Sequence, residues 1–221
     1  KNNPELYKFV EKQAKDLGLD IEKDGLKTYI VIGDKSYTAS IDYKTKTLYL
    51  DKNLLNKTSE DPQQDSNNLA ALERLIKHEF QHYKDSKMGY YDSKWFDSES
   101  DVMKTKKIGE CRADFVSIGN RGTQESQSSL SLLEGEHESN THPSDIDRFK
   151  SLIIQSYIKE KTKSESNPNG IELTLGDIKF NDKCEFSIAN KDKLHAIPYK
   201  VLQEAYEKAE DQARYVADMG K

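Results

Sequence analysis

The stretch 69–82 constrains this chain more than any other. Leu69, Leu72, Leu75, Ile76 and Phe80 recur at helical offsets, an apolar stripe on one side of an α-helix. The same helix carries His78-Glu79-Phe80-Gln81-His82, an H-E-x-x-H motif. Side chains four apart on a helix point the same way. The His78 and His82 rings therefore share a face and can both reach one metal ion, while Glu79 is offset around the helix and stands beside that ion without ligating it. Asn67 or Asn68 is the expected cap, and the helix is expected to end near Ser86.

This donor pattern suits zinc. The ion lowers the pKa of a bound water toward ~7, and a neighbouring carboxylate can take the proton and deliver it to a leaving amine. A catalytic zinc site usually has three protein ligands and keeps a fourth position open. The chain offers a third in Glu110-Cys111-Arg112-Ala113-Asp114, within a second helix marked by Ile108, Cys111, Phe115 and Ile118. Glu110 and Asp114 are four apart and share a face. Glu110 is placed to ligate, and Asp114 to accept a hydrogen bond from the far nitrogen of a ligating imidazole. Taken alone, the two would pass for a solvated acidic pair flanking Arg112; beside H-E-x-x-H they do not.

A third segment, Thr141-His142-Pro143-Ser144-Asp145-Ile146-Asp147-Arg148-Phe149, puts proline at the expected first position of another helix. That leaves His142 at a loop-to-helix corner. Its expected role is either to donate to a tetrahedral oxyanion or to cover the open zinc position in a resting state. Arg148 is expected to clamp a substrate carbonyl or to buttress an acidic ligand.

With these motifs in this order, the chain resembles gluzincin-type metallopeptidases related to HtpX and the CAAX prenyl proteases, including their soluble members. The matching pieces are Tyr29-Ile30-Val31-Ile32, Thr47-Leu48-Tyr49-Leu50 with Asn53-Leu54-Leu55, His78 to His82, Glu110 to Asp114, and His142-Pro143 with Arg148. The resemblance covers roughly residues 25–155. It implies His78, His82 and Glu110 as ligands of one Zn²⁺ per chain and Glu79 as general base. It also implies Asp114 as the residue that orients a ligand, with His142 or Arg148 assisting. The chain departs from the family's membrane members in having no span, and it carries Phe80-Gln81 between the histidines. Residues 156–221 match no part of the pattern.

Composition bounds the setting. With 34% hydrophobic and 33% charged residues the chain is very polar, yet 34 basic residues nearly balance 39 acidic ones and the periodic segments are clear, so it is expected to fold around a modest core with long polar loops. The net charge of −5 gives no reason to expect nucleic acid. Apolar runs such as Leu152-Ile153-Ile154 fall far short of the ~18 to 20 residues of a membrane span. Two cysteines suggest no disulfide framework, and Cys111 is expected as a small buried hydrophobe. Their scarcity fits a reducing compartment or a bacterial secreted protein. The start at Lys1 fits processing or trimming of a preceding segment, which leaves a soluble cytoplasmic and a soluble secreted protein both open.

The expected architecture is α+β and zincin-like. An N-terminal helical segment occupies 1–24, with a helix from Pro4 to about Asp16. A catalytic core over 25–160 holds a small β-meander (residues 27–50) packed on the H-E-x-x-H helix, the second ligand helix, and a helix from Pro143 to about Lys159. A support or recognition subdomain over 161–221 has strands at Ile171–Leu175 and Cys184–Ile188 and a helix from Pro198 to about Met219. Tyr90-Tyr91 with Trp95-Phe96 forms an aromatic loop that either lines a specificity pocket or folds onto the core. His137 and His195 are expected as solvated and helix-entry residues. The expected activity is zinc-dependent hydrolysis of a protein or peptide substrate. The alternatives are an effector or toxin protease with one narrow substrate, a non-catalytic zincin-fold binding protein, and a metal-dependent hydrolase of another substrate class.

Overall fold

Two units make up the chain, Lys1–Asp92 and Ser93–Lys221, and the computed structural model describes residues 4–31, 39–52, 62–92, 98–118 and 142–219. The segments 119–141 and 93–97, with His137, Trp95 and Phe96, lie outside the described residues. In the first unit, α1 (Pro4–Asp16) and α2 (Ile21–Asp24) precede β1 (Lys27–Val31), β2 (Ala39–Asp42), β3 (Thr47–Asp51) and the long helix α3 (Pro62–Lys87). Gly18, at φ 73°, stops α1 in a left-handed turn that a residue without Cβ adopts freely. Leu19 then donates back to the Ala14 carbonyl at 2.9 Å.

α3 starts earlier than the sequence suggests. Pro62 opens it, as suits a residue with no N–H to satisfy, so Asn67 and Asn68 lie within the helix and do not cap it. Its buried stripe is Leu72, Ile76, Phe80 and Tyr83, which packs with Val10, Ala14, Leu19, Leu48 and Leu50 in one core. Leu69 is 54% exposed, because that core reaches only as far along the helix as Leu72. Two polar ties fix the C-terminal end: Lys84 Nζ donates to the Leu17 carbonyl at 2.8 Å, and Lys87 pairs with Asp24.

The three strands do not form the expected meander. Their order is β1-β3-β2, with β3 central, antiparallel to β2 and parallel to β1. The β2–β3 turn is held by Asp42, whose Oδ1 accepts from the Lys44 and Thr45 amides at 2.8 and 3.2 Å. That hairpin leaves the other edge of β3 to β1, and Leu48 and Leu50 of the central strand are fully buried. Sequence neighbours need not be sheet neighbours, and the alternation pattern specifies faces but not strand order. β2 also packs against α3.

In the second unit α4 (Glu99–Ile118) and α5 (Asp145–Lys161) are followed by β4 (Ile178–Phe180), β5 (Phe186–Ile188), α6 (Lys191–Ala196) and α7 (Tyr199–Met219). α5 is the hub, with Phe149, Leu152, Ile153, Ile154 and Ile158 all buried. α7 packs on α5 and buries Ala205 and Ala209 in the shared core, small side chains that let two helices approach closely. Ser144, not Pro143, sets the start of α5. Its Oγ accepts from the Asp147 amide at 3.2 Å and donates to the Asp147 carboxylate at 2.7 Å, so Pro143 precedes the cap.

Residues 171–175 are not a strand. The Ile171 amide donates to Thr162 Oγ1 at 2.6 Å, and the Thr174 amide and hydroxyl both donate to Asp177 Oδ2 at 2.8 Å, so side chains satisfy this backbone where a ladder was expected. The second expected strand is shortened to Phe186–Ile188, because Asn181 Oδ1 gathers the Lys183 and Glu185 amides into a turn with Cys184 at φ 55°.

The two cysteines do pair. Cys111 on α4 and Cys184 in the β4–β5 turn form a disulfide across a separation of 73 residues. A link over a loop of that length contributes about 2–5 kcal/mol. Such spacing carries no signature, since only the tertiary packing of α4 against β4 brings the pair together.

Asp177 makes a pH-dependent clamp in this unit. Burial alone would raise its carboxyl, but hydrogen bonds from Thr174 and Asn190 and the nearby Lys193 outweigh that and hold it below the usual carboxylate range. A depressed folded pKa stabilises above the unfolded value near 3.8 and is lost as pH falls through the folded value. Asp177→Asn is therefore expected to lower the melting temperature at pH 7, with the gap from the native chain closing below about pH 3.8 in thermal melts. A gap independent of pH would contradict this role.

Candidate metal centre

In the first unit, α3 supplies a pair of histidines. His78 and His82 lie one turn apart, 8% and 6% exposed, on a face of the helix away from its apolar stripe. Their Nε2 atoms face each other at 3.0 Å, with the rings edge to face. Two nitrogens held about 2.0–2.1 Å from a tetrahedral zinc stand about 3.3 Å apart. The pair is thus within a few tenths of an ångström of ligating separation, and the same nitrogen of each ring is presented. Glu79 follows His78 on the next position of α3 and is half-buried.

The far nitrogen of His82 also has a described partner. Nδ1 lies 3.0 Å from the Tyr91 hydroxyl. Tyr91 in turn stacks on Tyr43 of the β2–β3 turn, with ring centroids 6.1 Å apart and planes 20° from parallel, and Tyr90 meets it edge-on. Tyr91 thus belongs to the site, and the alternative of an aromatic simply folded onto the core misses its hydroxyl. Only its place in an aromatic-rich segment soon after the motif hinted at this, because no periodic spacing links it to His82.

In the second unit, α4 and α5 carry a separate set of charged side chains. Asp114 is fully buried, and both its oxygens receive Arg148, from Nε at 2.5 Å and Nη2 at 3.1 Å. Glu110, one turn earlier on α4, keeps its Oε1 at 3.6 Å from His142 Nε2 and its Oε2 at 3.9 Å from Arg148 Nη2. These last two are ion-pair distances, longer than a charge-assisted hydrogen bond. Arg148 thus binds Asp114 at two points and lies within ion-pair range of Glu110. His142 faces Glu110 and is partly exposed. Both Asp114 oxygens accept from Arg148, while Tyr91 faces His82 Nδ1.

Among the described residues, His78, His82 and Glu110 make a group of donors able to hold a metal ion. Two imidazole nitrogens and one carboxylate suit zinc and leave a coordination position for water or substrate. Comparison of the chain with family models, with curated proteins and with solved structures gives no match.

The buried pair on α4 and α5 can be tested by itself. Arg148→Ala strands the Asp114 carboxylate without its cation and is expected to cost about 3–5 kcal/mol in denaturant unfolding. Pairing Arg148→Met with Asp114→Asn is expected to cost clearly less than the single change. Equal losses would mean that the pair does not act as a unit.

Proposed function

We propose that the chain is a zinc-dependent metalloendopeptidase, in which His78, His82 and Glu110 hold one zinc ion. The observation that carries this reading is the His78–His82 pair, whose Nε2 atoms converge at 3.0 Å inside an H-E-x-x-H helix. A bound zinc supplies Lewis acidity, polarising a peptide carbonyl and making water easier to deprotonate. Glu79 takes a proton from the attacking water and passes it to the leaving amine. His142 is exposed enough to approach substrate and donates a hydrogen bond to the carbonyl oxygen as negative charge develops there. Arg148 acts through the acids: it neutralises Asp114 and sits within ion-pair range of Glu110, so Glu110 is held in place without losing its capacity as a ligand.

One observation favours a particular form of this function. Disulfides form and persist in oxidising compartments, and Cys111–Cys184 is buried within the second unit. That supports a protease acting outside the cytoplasm. Among the described residues no helix is long and apolar enough to cross a membrane.

Glu79→Gln keeps the side-chain shape and removes the base. The variant is expected to bind as much zinc as the native chain and to lose turnover of an unstructured peptide library by roughly 10²–10⁴-fold, read by mass spectrometry of the products. Undiminished cleavage would overturn the assignment. Zinc binding without cleavage in the native chain would favour a binding protein.

A further inference from the structure

Tyr91 has a place that the H-E-x-x-H chemistry does not itself assign. Its hydroxyl is 3.0 Å from His82 Nδ1, while His82 Nε2 is the atom turned toward His78. We propose that Tyr91 is a positioning residue for the metal, holding His82 in the tautomer and ring orientation that present Nε2 as a ligand. This inference rests on the zinc reading above.

The chemistry follows from the two nitrogens of one ring. A neutral imidazole carries a proton on one nitrogen and a lone pair on the other. For Nε2 to bind a metal the proton must sit on Nδ1, and there it needs an acceptor. The Tyr91 oxygen is that acceptor. Without metal the same hydroxyl can reverse and donate to Nδ1, which moves the ring proton to Nε2 and lets it bridge to His78 Nε2. A carboxylate at this place would favour the Nδ1–H tautomer in both states, whereas a phenol, being donor and acceptor, serves each. The His82 ring can thus keep its place whether or not metal is bound.

Aromatic packing keeps the hydroxyl there. Tyr91 is stacked on Tyr43 and met edge-on by Tyr90, and the turn carrying it follows α3 directly, with the Tyr90 amide donating to the Asp85 carbonyl at 2.9 Å. Asp85 is buried and its Oδ1 receives Gln81 Nε2 at 2.7 Å, so the end of the helix and the tyrosine turn are joined. The β2–β3 hairpin therefore reaches the metal ligand through Tyr43 and Tyr91, although no strand residue is itself a ligand.

The test is the zinc affinity of the native chain and of Tyr91→Phe, with His78→Ala as reference, each stripped of metal and titrated against a zinc-sensitive chelating dye. Tyr91→Phe is expected to bind zinc about 10- to 100-fold more weakly than the native chain, the range found when a ligand's outer hydrogen-bond partner is removed. Nitrogen-15 NMR of the zinc-loaded native chain is expected to show a His82 Nδ1 proton slow to exchange, with coupling across to the ring. The native spectrum tests the inference even if Tyr91→Phe fails to fold. Native-like affinity in a folded Tyr91→Phe, or a fast-exchanging Nδ1 proton in the native chain, would overturn the positioning role and leave the zinc site standing. No zinc uptake by the native chain would remove the zinc reading, and this inference with it.

Discussion

The rotation of α3 about its own axis is the constraint on which the candidate site depends. Burying Leu72, Ile76, Phe80 and Tyr83 fixes which way the helix faces, and at ~100° per residue the two histidines then stand roughly 135° around from the centre of that stripe. The hydrophobic core therefore sets the direction in which His78 and His82 leave the helix, and the contact to Tyr91 bears on the His82 ring itself. Lys84 and Lys87 lock the same rotation at the far end, through Leu17 and Asp24. A helix free to roll by even one position would turn both imidazoles away together.

The second unit handles its carboxylates differently. α4 places Glu110 and Asp114 on one face, and Arg148 of the buried α5 distinguishes them. Asp114 receives a two-point contact from Arg148, and Glu110 lies within ion-pair distance of the same guanidinium. A buried charge needs a partner, and Arg148 supplies one to Asp114 through both of its oxygens. Beside Glu110, Cys111 ties α4 to the β4–β5 turn, so the backbone of the candidate ligand is anchored covalently one residue away.

What could be seen in the sequence was what has a period. The H-E-x-x-H helix, the second helix through Glu110 and Asp114, and the helices around Phe149 and Ala205 all show themselves by helical spacing, and the His78–His82 convergence follows from a separation of four. What has no period was hidden. The parallel pairing of β1 with β3 depends on which edge the β2–β3 hairpin leaves open. The Cys111–Cys184 bond depends on packing between elements 73 residues apart. Residues 171–175 alternate like a strand, yet Thr162 and Asp177 satisfy their amides first. Tyr91 belongs to the same class, since a hydroxyl reaching back nine residues to an imidazole leaves no mark in the spacing of apolar positions.

The central claim is the proposal that His78, His82 and Glu110 hold one zinc ion. Zinc content by elemental analysis tests it most directly, comparing the native chain with His82→Ala and Glu110→Ala after identical purification and equilibration with zinc. About one zinc per native chain, lost in both variants, is the predicted result. Native chain that folds but takes up no zinc, or a Glu110→Ala chain that retains it fully, would contradict the account.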